Sequence, residues 1–237
     1  MENENQENKK DENVFLRVWG DYACFTRPEF RSERVSYEIM TPAAARGILT
    51  AIYWKPEFEW KVDAIHVLNP INFISIKRNE LGCKTSLKSK APIDIREQRQ
   101  QRYSRILKNV EYVIKAHVNP LKPLEGVDVF KKHSEMFKRR AEKGQCFRTP
   151  CFGIREFAAN FALLDSEEAI PPSNLQENYL NANLGRMLQD IDYIKSENGK
   201  VRAGVNDERY DAIPHFFEAV LHNGILEVPS TFVDTQN

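Results

Sequence analysis

The sequence predicts an α+β protein, on two observations. Short runs in which apolar and polar side chains alternate, typical of half-buried β-strands, recur over residues 14–157. Two longer stretches between them space their apolar side chains every three or four residues, as amphipathic helices do. In chain order the pattern predicts strand, helix, strand, strand, helix and strand.

The first half of this pattern has well-marked boundaries. Residues 14–22 are rich in β-formers and predict the first strand. The Thr-Pro pair at 41–42 suits the N-cap and the first position of a helix, which Pro56 ends. Two alternating runs, 62–68 and 71–76, then predict two short strands or one long strand with a bend.

The second half begins with a basic stretch. Residues 77–108 are interpreted as a mobile loop followed by a short helix. The run at 110–118 predicts a strand, a helical pattern follows Gly126 and ends at Gly144, and 151–157 predicts the last strand. The complete order, β-α-β-β-α-β, is that of a ferredoxin-like domain, the layout that RNA-recognition modules use.

Three regions are expected along the chain. Residues 1–13 are polar without periodicity, which predicts a disordered tail. Residues 14–160 form the ferredoxin-like domain. Residues 161–237 form a smaller, antiparallel β-rich part, because short strand-like runs there alternate with Asn-Gly turn signals at 198–199 and 223–224.

Composition excludes several classes of protein. No apolar run approaches the length of a membrane-spanning helix and the N-terminus lacks a signal-peptide pattern, so we expect a cytoplasmic protein without membrane contact. The four cysteines are widely spaced, which predicts reduced thiols and no structural zinc. No metal-ligand, P-loop or dinucleotide signature occurs, so neither a metal nor a cofactor is expected.

The formal net charge is zero, but the charges are unevenly distributed. Residues 77–108 carry ten Lys or Arg against three Asp or Glu, and residues 131–155 carry eight against two. The segment from 156 onward has five against fourteen. Two basic blocks on a neutral chain predict a polyanion partner at one face. Solvated loops and helix faces are the alternative interpretation.

The strand at 110–118 has two different faces. Alternation places one set on a potential core face, namely Tyr112, Ile114, Ala116 and Val118. Lys115 and His117 share the other face, roughly 6.6 Å apart. An imidazole can move a proton near neutral pH, and an ammonium can hold the charge that builds on phosphate oxygens. The pair therefore fits phosphodiester chemistry, and a solvated strand edge fits the same pattern.

Two further groups fit this chemistry. Tyr53 ends the first predicted helix, where its phenol would reach the sheet edge and supply a third group for RNA cleavage without metal; a core aromatic is the alternative. Segment 144–153 begins and ends with glycine and contains Phe147 and Arg148, with Arg155 just beyond. Such a loop allows close backbone approach, base stacking and phosphate contact.

Five blocks, in order, resemble the CRISPR-associated RAMP-superfamily proteins of type I-C systems: GDYACFTRPEF, YEIMTPAAARGILTAIYWKP, HVLNPINFISIKRNE, YVIKAH and KGQCFRTPCFGIREF. The resemblance implies a ferredoxin-like N-terminal domain and a β-rich C-terminal part. It also implies a metal-independent endoribonuclease that cuts the repeat hairpin of CRISPR precursor RNA, leaving a 5′-hydroxyl and a 2′,3′-cyclic phosphate. The enzyme would stay bound to the 5′ handle of the mature guide RNA within the type I-C interference complex, beside its backbone and large subunits. Contact with double-stranded DNA is left open.

Carried over by residue, the resemblance implies that the catalytic groups are Tyr53, Lys115 and His117. Under this hypothesis His117 is the general acid or base and Lys115 stabilises the phosphorane charge. Tyr53 positions or helps to deprotonate the 2′-hydroxyl, and which of His117 and Tyr53 is the base stays open. This chain departs from the family pattern at two places, Val118 after the histidine motif and Arg148 with Cys151 in the loop.

RNA contacts are expected from Arg46 on the first helix, and from the basic segments and the glycine-rich loop, namely Lys77, Arg78, Lys138, Arg139, Arg140, Gly144, Phe147, Arg148, Gly153 and Arg155. Two alternatives to an enzyme remain. One is a non-catalytic scaffold that caps the 5′ end of the guide RNA, as related RAMP proteins do. The other is a general RNA-recognition module that uses Phe15 and Trp19 on one face of the first strand.

Overall fold

The computed structural model describes residues 13–30, 33–83, 92–121, 128–203 and 208–231. Residues 1–12 of the expected tail (1–13) and residues 84–91 of the expected mobile loop (84–92) lie outside this part of the chain. In chain order the elements are β1 (Val14–Ala23), β2 (Arg34–Val35), α1 (Pro42–Ile52), β3 (Phe58–Val67), β4 (Phe73–Leu81), α2 (Ile95–Gln98), β5 (Arg99–Pro120), α3 (Val129–Glu142), β6 (Asn160–Leu164), α4 (Glu177–Leu180), β7 (Asn183–Lys195), β8 (Val201–Ala203), β9 (Glu208–His222) and β10 (Ile225–Glu227).

A mostly antiparallel sheet connects these strands, so the protein is α+β. Its strand order is β6-β1-β5-β3-β10-β9-β7, with β2 and β4 also paired to β5 and β8 paired to β9. Strand β2 runs parallel to β5, and β1, β3 and β4 run antiparallel to it. Strand β10 pairs with β3, so the C-terminal strands continue the sheet that the N-terminal strands begin.

Strand β5 is the longest element and lies at the centre of the sheet. Its second half is flanked by β1 and β3, and its first half pairs with β4. The expected alternation over 110–118 is confirmed, because the predicted core set is buried in the main hydrophobic core: Tyr112, Ile114, Ala116 and Val118. On the other face Val113 packs in a small second cluster with Phe15 and Leu68.

The helix expected near the end of 77–108 is wrong beyond its first turn. Only Ile95–Gln98 is helical, and β5 begins at Arg99. The following residues pair with β4, for example Ile106 with Ile74, and alternate exposed with less exposed side chains. Pairing with a neighbouring strand therefore overrides the weak local helix preference. Both strands before this region are also longer than expected, Phe58–Val67 and Phe73–Leu81.

The strand expected over 151–157 is also wrong. The chain there makes a single bridge, Cys151 to Ala158, and the strand starts at Asn160. Gly153 has φ +81° and the Phe157 N–H donates to the Ile154 carbonyl at 3.1 Å. A left-handed residue followed by a tight turn reverses the backbone, which prevents an extended run.

The two long helices bury their apolar side chains in the same core. The Thr41 side chain accepts a hydrogen bond from the Ala44 N–H and so caps α1, whose buried residues include Ile48 and Leu49. Helix α3 buries Phe137, whose ring lies 4.7 Å from that of Trp60 on β3. Among the described residues, no helix is long and apolar enough to cross a membrane.

Phe137→Ala should lower the free energy of unfolding by about 3–5 kcal/mol, because the side chain is fully buried and leaves a cavity. Phe147→Ala is the matched control, since that ring is 86% exposed and its loss should change stability by less than about 0.5 kcal/mol. Urea unfolding measures both. Equal losses in the two variants would contradict this account of the core.

Candidate active site

His117 lies near the end of β5, on the face turned away from the main core. Its Nδ1–H donates a hydrogen bond to Oδ2 of Asp63 on β3, at 2.8 Å. Both side chains are about one-third exposed, at 34% and 35%. Lys61 is the direct cross-strand partner of His117. The imidazole is therefore held by a carboxylate, beside an ammonium and within reach of solvent.

A pocket of about 250 Å³ lies beside this pair, between β3, β5, α1, β7 and the segment after β10. Its polar lining residues include Arg46, Lys61, Asn119 and Gln189. Arg46 donates to Asp190, and its buried Nε has no hydrogen-bond partner among the described residues. The pocket thus brings to a single concave surface one imidazole and two ion-paired cations, Arg46 with Asp190 and Lys61 with Glu59.

Lys115 shares the strand face of His117 but has a different environment. Its Nζ donates to both carboxylate oxygens of Glu167, at 3.1 and 3.0 Å. It also lies 5.6 Å from the centre of the Phe15 ring. Lys115 is absent from the described lining of the His117 pocket. An RNA phosphate would therefore have to compete with Glu167 for this ammonium.

Tyr53 is also outside the described lining of that pocket. Its phenol donates to Nδ1 of His133 at 2.8 Å, and His133 Nε2–H donates to Glu57 at 2.8 Å. Tyr53 and His133 are 8% and 1% exposed. Burial raises the pKa of Tyr53, and the charge of Glu57 raises it further. Burial also lowers the pKa of His133, against the opposing hydrogen bond with Glu57, so both rings are neutral near neutral pH.

The glycine-rich segment 144–153 docks on the C-terminal half of α1. The backbone N–H groups of Phe147 and Arg148 both donate to the Ala51 carbonyl, at 2.8 and 3.1 Å. A groove of about 600 Å³ lies between α1 and this segment. It is lined by Arg148 and Arg155 on one side and by the small residues Ala43, Ala44, Gly47 and Ala51 of the helix on the other. One side of the groove is therefore formed by small residues of α1 and the other by two cations, and the exposed Phe147 is the neighbour of Arg148 in sequence.

Gly153 cannot carry a side chain in this loop. Its φ is +81°, and a Cβ atom would lie 2.0 Å from the Cys24 carbonyl oxygen. Gly144, also at positive φ, ends the turn after α3 and has open space around it. The two glycines thus serve different needs, close backbone approach at Gly153 and a left-handed turn at Gly144.

The remaining expected RNA contacts lie on α3 and on the β4–β5 hairpin. Arg140 donates to the Ile52 carbonyl at 3.2 Å, while Lys138 and Arg139 are at least partly exposed on the same helix. Arg78 is ion-paired with Glu156, and Lys77 lies 5.6 Å from the ring of Tyr103. These residues are therefore spread over several surfaces of the described structure.

One face of the hairpin was missed because its second strand was expected to be helical. Strand alternation places eight exposed residues on this face: Ser75, Lys77, Asn79, Leu81, Arg99, Gln101, Tyr103 and Arg105. Three are cations, one is an aromatic residue and none of these eight is acidic. The face is suited to a polyanion with stacking bases.

Comparison with known proteins decides the family. The family model described as CRISPR-associated protein (Cas_Cas5), in its Cas5d form, matches residues 14–229. The chain belongs to the Cas5d family. The resemblance seen in the sequence blocks is thereby confirmed. In solved structures, the chain is similar to a functionally uncharacterized protein from Streptococcus mutans, with a TM-score of 0.62, 25% identity and 92% of both chains covered. A structure titled CRISPR-associated protein gives a TM-score of 0.61 with the same identity and coverage.

Two curated Cas5d relatives cover nearly the whole chain. The CRISPR pre-crRNA endoribonuclease Cas5d of Mannheimia succiniciproducens is 49% identical over 233 residues, which is 93% of this chain and 96% of that protein. The protein of the same name from Thermus thermophilus is 42% identical over 219 residues, or 91% of this chain and 90% of that protein.

Sequence reasoning assigned no role to four polar residues that lie beside the candidate groups: Lys61 and Asp63 near His117, and Glu57 and His133 near Tyr53. Lys61 carried a signal, because a strand extended back from residue 62 places it beside the strand of His117. Asp63 sits where β3 and β5 shift register, which one sequence does not reveal. Among the described residues, no group of three or more His, Cys, Asp or Glu side chains is placed to hold a metal ion.

The buried His133 should make stability depend on pH. The unfolded chain takes up a proton on this residue near its ordinary pKa of 6.5, while the folded chain does so only at lower pH. The free energy of unfolding should therefore fall between about pH 7.5 and about pH 5.5, and His133→Gln should reduce that fall. Urea unfolding at both pH values measures it. The exposed control His222→Gln should keep the wild-type dependence, and an unchanged dependence in His133→Gln would contradict the assignment.

Proposed function

We propose that this chain is a metal-independent endoribonuclease that cuts the repeat hairpin of CRISPR precursor RNA. It then stays bound to the 5′ handle of the mature guide RNA as a subunit of the type I-C interference complex, with the backbone and large subunits as partners. The observation that carries the proposal is the His117 imidazole, held by Asp63 at a pocket that contains Arg46 and Lys61. The names of the two curated relatives support it. Contact with double-stranded DNA stays a prediction.

The finer description of the fold is part of this proposal. We assign residues 14–160 to a ferredoxin-like domain and residues 161–237 to a β-rich C-terminal part. The adjacent strands β6-β1-β5-β3, with α1 following β1 and α3 following β5, support the first assignment. The antiparallel pairs of β7 with β9 and β8 with β9 support the second.

In the proposed reaction the ribose 2′-oxygen attacks the adjacent phosphorus and the bond to the 5′-oxygen breaks. The products are a 2′,3′-cyclic phosphate and a 5′-hydroxyl. The 2′-hydroxyl loses a proton and the 5′-oxygen gains one, and His117 serves these transfers. Its position at a solvent-accessible pocket supports His117 as the base over Tyr53, whose phenol is buried and neutral. Lys115, once it leaves Glu167, or Lys61 would stabilise the phosphorane charge.

The RNA would lie across two described surfaces. The groove between α1 and the glycine-rich segment offers Arg148 and Arg155 to phosphates and Phe147 to a base. The exposed hairpin face around Tyr103 and Lys77 offers a second set of cations. Because these contacts are mainly electrostatic, binding should depend strongly on salt concentration.

A non-catalytic scaffold that caps the 5′ end of the guide RNA is the second candidate function. Two observations favour it. Lys115 is occupied by an ion pair with Glu167, and the Tyr53 phenol is bonded to the buried His133. Under this alternative His117 and Lys115 contact RNA without chemistry.

Cleavage of an end-labelled repeat hairpin in EDTA distinguishes the endoribonuclease from the non-catalytic scaffold. The wild-type chain should cut once and leave a cyclic phosphate, detected by its resistance to phosphatase until acid opens the ring. His117→Ala should slow single-turnover cleavage by about 10²–10⁴-fold while it keeps RNA affinity, because only proton transfer is lost. RNA with a 2′-deoxy sugar at the mapped cut should stay intact.

His222→Ala is the control for the loss of a histidine and should cut at the wild-type rate. Tight binding of RNA that remains intact with the wild-type chain would favour the scaffold. Cleavage that depends on added metal would contradict metal independence.

Changing both Arg148 and Arg155 to Gln tests the groove. If each arginine neutralises one phosphate of a single strand, the slope of log affinity against log salt should become shallower by about 1.4. Fluorescence anisotropy between about 50 and 200 mM salt measures the slope. The control Lys200→Gln removes an exposed cation in the C-terminal part and should leave the slope unchanged. A slope unchanged in the arginine variant would place the RNA elsewhere.

A further inference from the structure

Asp63 reaches His117 because β3 carries one extra residue at this point. Val62 pairs with Ala116 and Ala64 pairs with Lys115, so Asp63 has no residue opposite it on β5. A bulge of this kind redirects a side chain and interrupts the regular alternation, and such bulges occur often beside active sites. The irregularity in β3 is therefore what places a carboxylate beside the imidazole.

The bulge is held from its other side by the segment after β10. Pairing between β10 and β3 ends at Ala64, which lies opposite Glu227. The next residue, Val228, donates its N–H to the Asp63 carbonyl at 2.9 Å. The backbone of Asp63 is thus held by Val228, on the side away from β5, while its side chain contacts His117.

The contact selects one tautomer of the imidazole. Asp63 as a carboxylate only accepts hydrogen bonds, so the 2.8 Å contact requires a proton on Nδ1 of His117. In a neutral ring the other nitrogen, Nε2, then carries a lone pair. That nitrogen can take a proton from a hydroxyl, the arrangement by which a carboxylate orients a histidine base in hydrolases.

We infer that Asp63 is the positioning residue of His117 in RNA cleavage, fixing its orientation and its Nδ1–H tautomer so that Nε2 exchanges the proton with the ribose. This inference rests on the proposed endoribonuclease function. It assigns the β3 bulge a role in the reaction, at a pocket that Arg46 and Lys61 also line.

Asp63→Asn tests the inference, because the amide keeps the size of the side chain and can donate to the imidazole. The amide can then favour a proton on Nε2, the wrong nitrogen for a base. Single-turnover cleavage of the repeat hairpin should slow by about 10²-fold or more, while the dissociation constant for RNA changes by less than about threefold. This split between rate and affinity separates positioning from binding.

A spectroscopic measurement gives an answer that does not depend on activity. The ¹⁵N chemical shifts of His117 in the full-length labelled chain should show the Nδ1–H tautomer in wild type and a shift towards Nε2–H in Asp63→Asn. The matched control is Asp192→Asn, which changes another Asp–His pair, Asp192 with His215 at 2.9 Å on β7 and β9. That variant should leave both the His117 shifts and the cleavage rate unchanged.

The outcomes distinguish this inference from the proposed function. If His117→Ala abolishes cleavage and Asp63→Asn cuts at the wild-type rate, the function stands and the role of Asp63 is overturned. A wild-type His117 with its proton on Nε2 overturns that role whatever the variants do. If the wild-type chain leaves the RNA intact, the proposed function fails and this inference fails with it.

Discussion

The antiparallel pairing of β5 with its neighbours is the constraint on which the site depends. Hydrogen bonding along 22 residues, first to β4 and then to β1 and β3, fixes which side chains face the core. Because the alternation cannot slip by one residue without exposing the whole core face, Lys115 and His117 must lie on the opposite face. Burial of Ile114 and Ala116 in the core therefore determines the direction in which Lys115 and His117 point.

Each cation near the site has a carboxylate partner, and two of these partners come from the acidic C-terminal part. Arg46 pairs with Asp190 and Lys115 pairs with Glu167. The zero net charge of the chain is therefore reflected locally, because acidic residues late in the sequence form ion pairs with basic residues earlier in it. A phosphate that approaches Lys115 would therefore compete with the carboxylate of Glu167 for the same ammonium.

The sequence predicted correctly those parts of the structure that depend on residues close together in the chain. The faces of residues 110–118 follow from alternation, and α1 begins at Thr41 and Pro42 because their cap chemistry acts within one turn. Two parts depend on distant partners and could not be predicted from one sequence. Residues 99–107 are extended because β4 lies beside them, and Asp63 meets His117 because of a register shift. The burial of Tyr53 is similar, since His133 comes from a helix 80 positions later.

Helix α1 connects the His117 pocket with the groove that is assigned to RNA. Arg46 lines the His117 pocket, and the Ala51 carbonyl, five residues later, receives the glycine-rich segment. Five residues of α-helix rise about 7.5 Å, close to two stacked nucleotides of one strand. An RNA strand held at both surfaces would therefore be cut at a fixed distance from its contact in the groove, whatever bases lie between the two contacts.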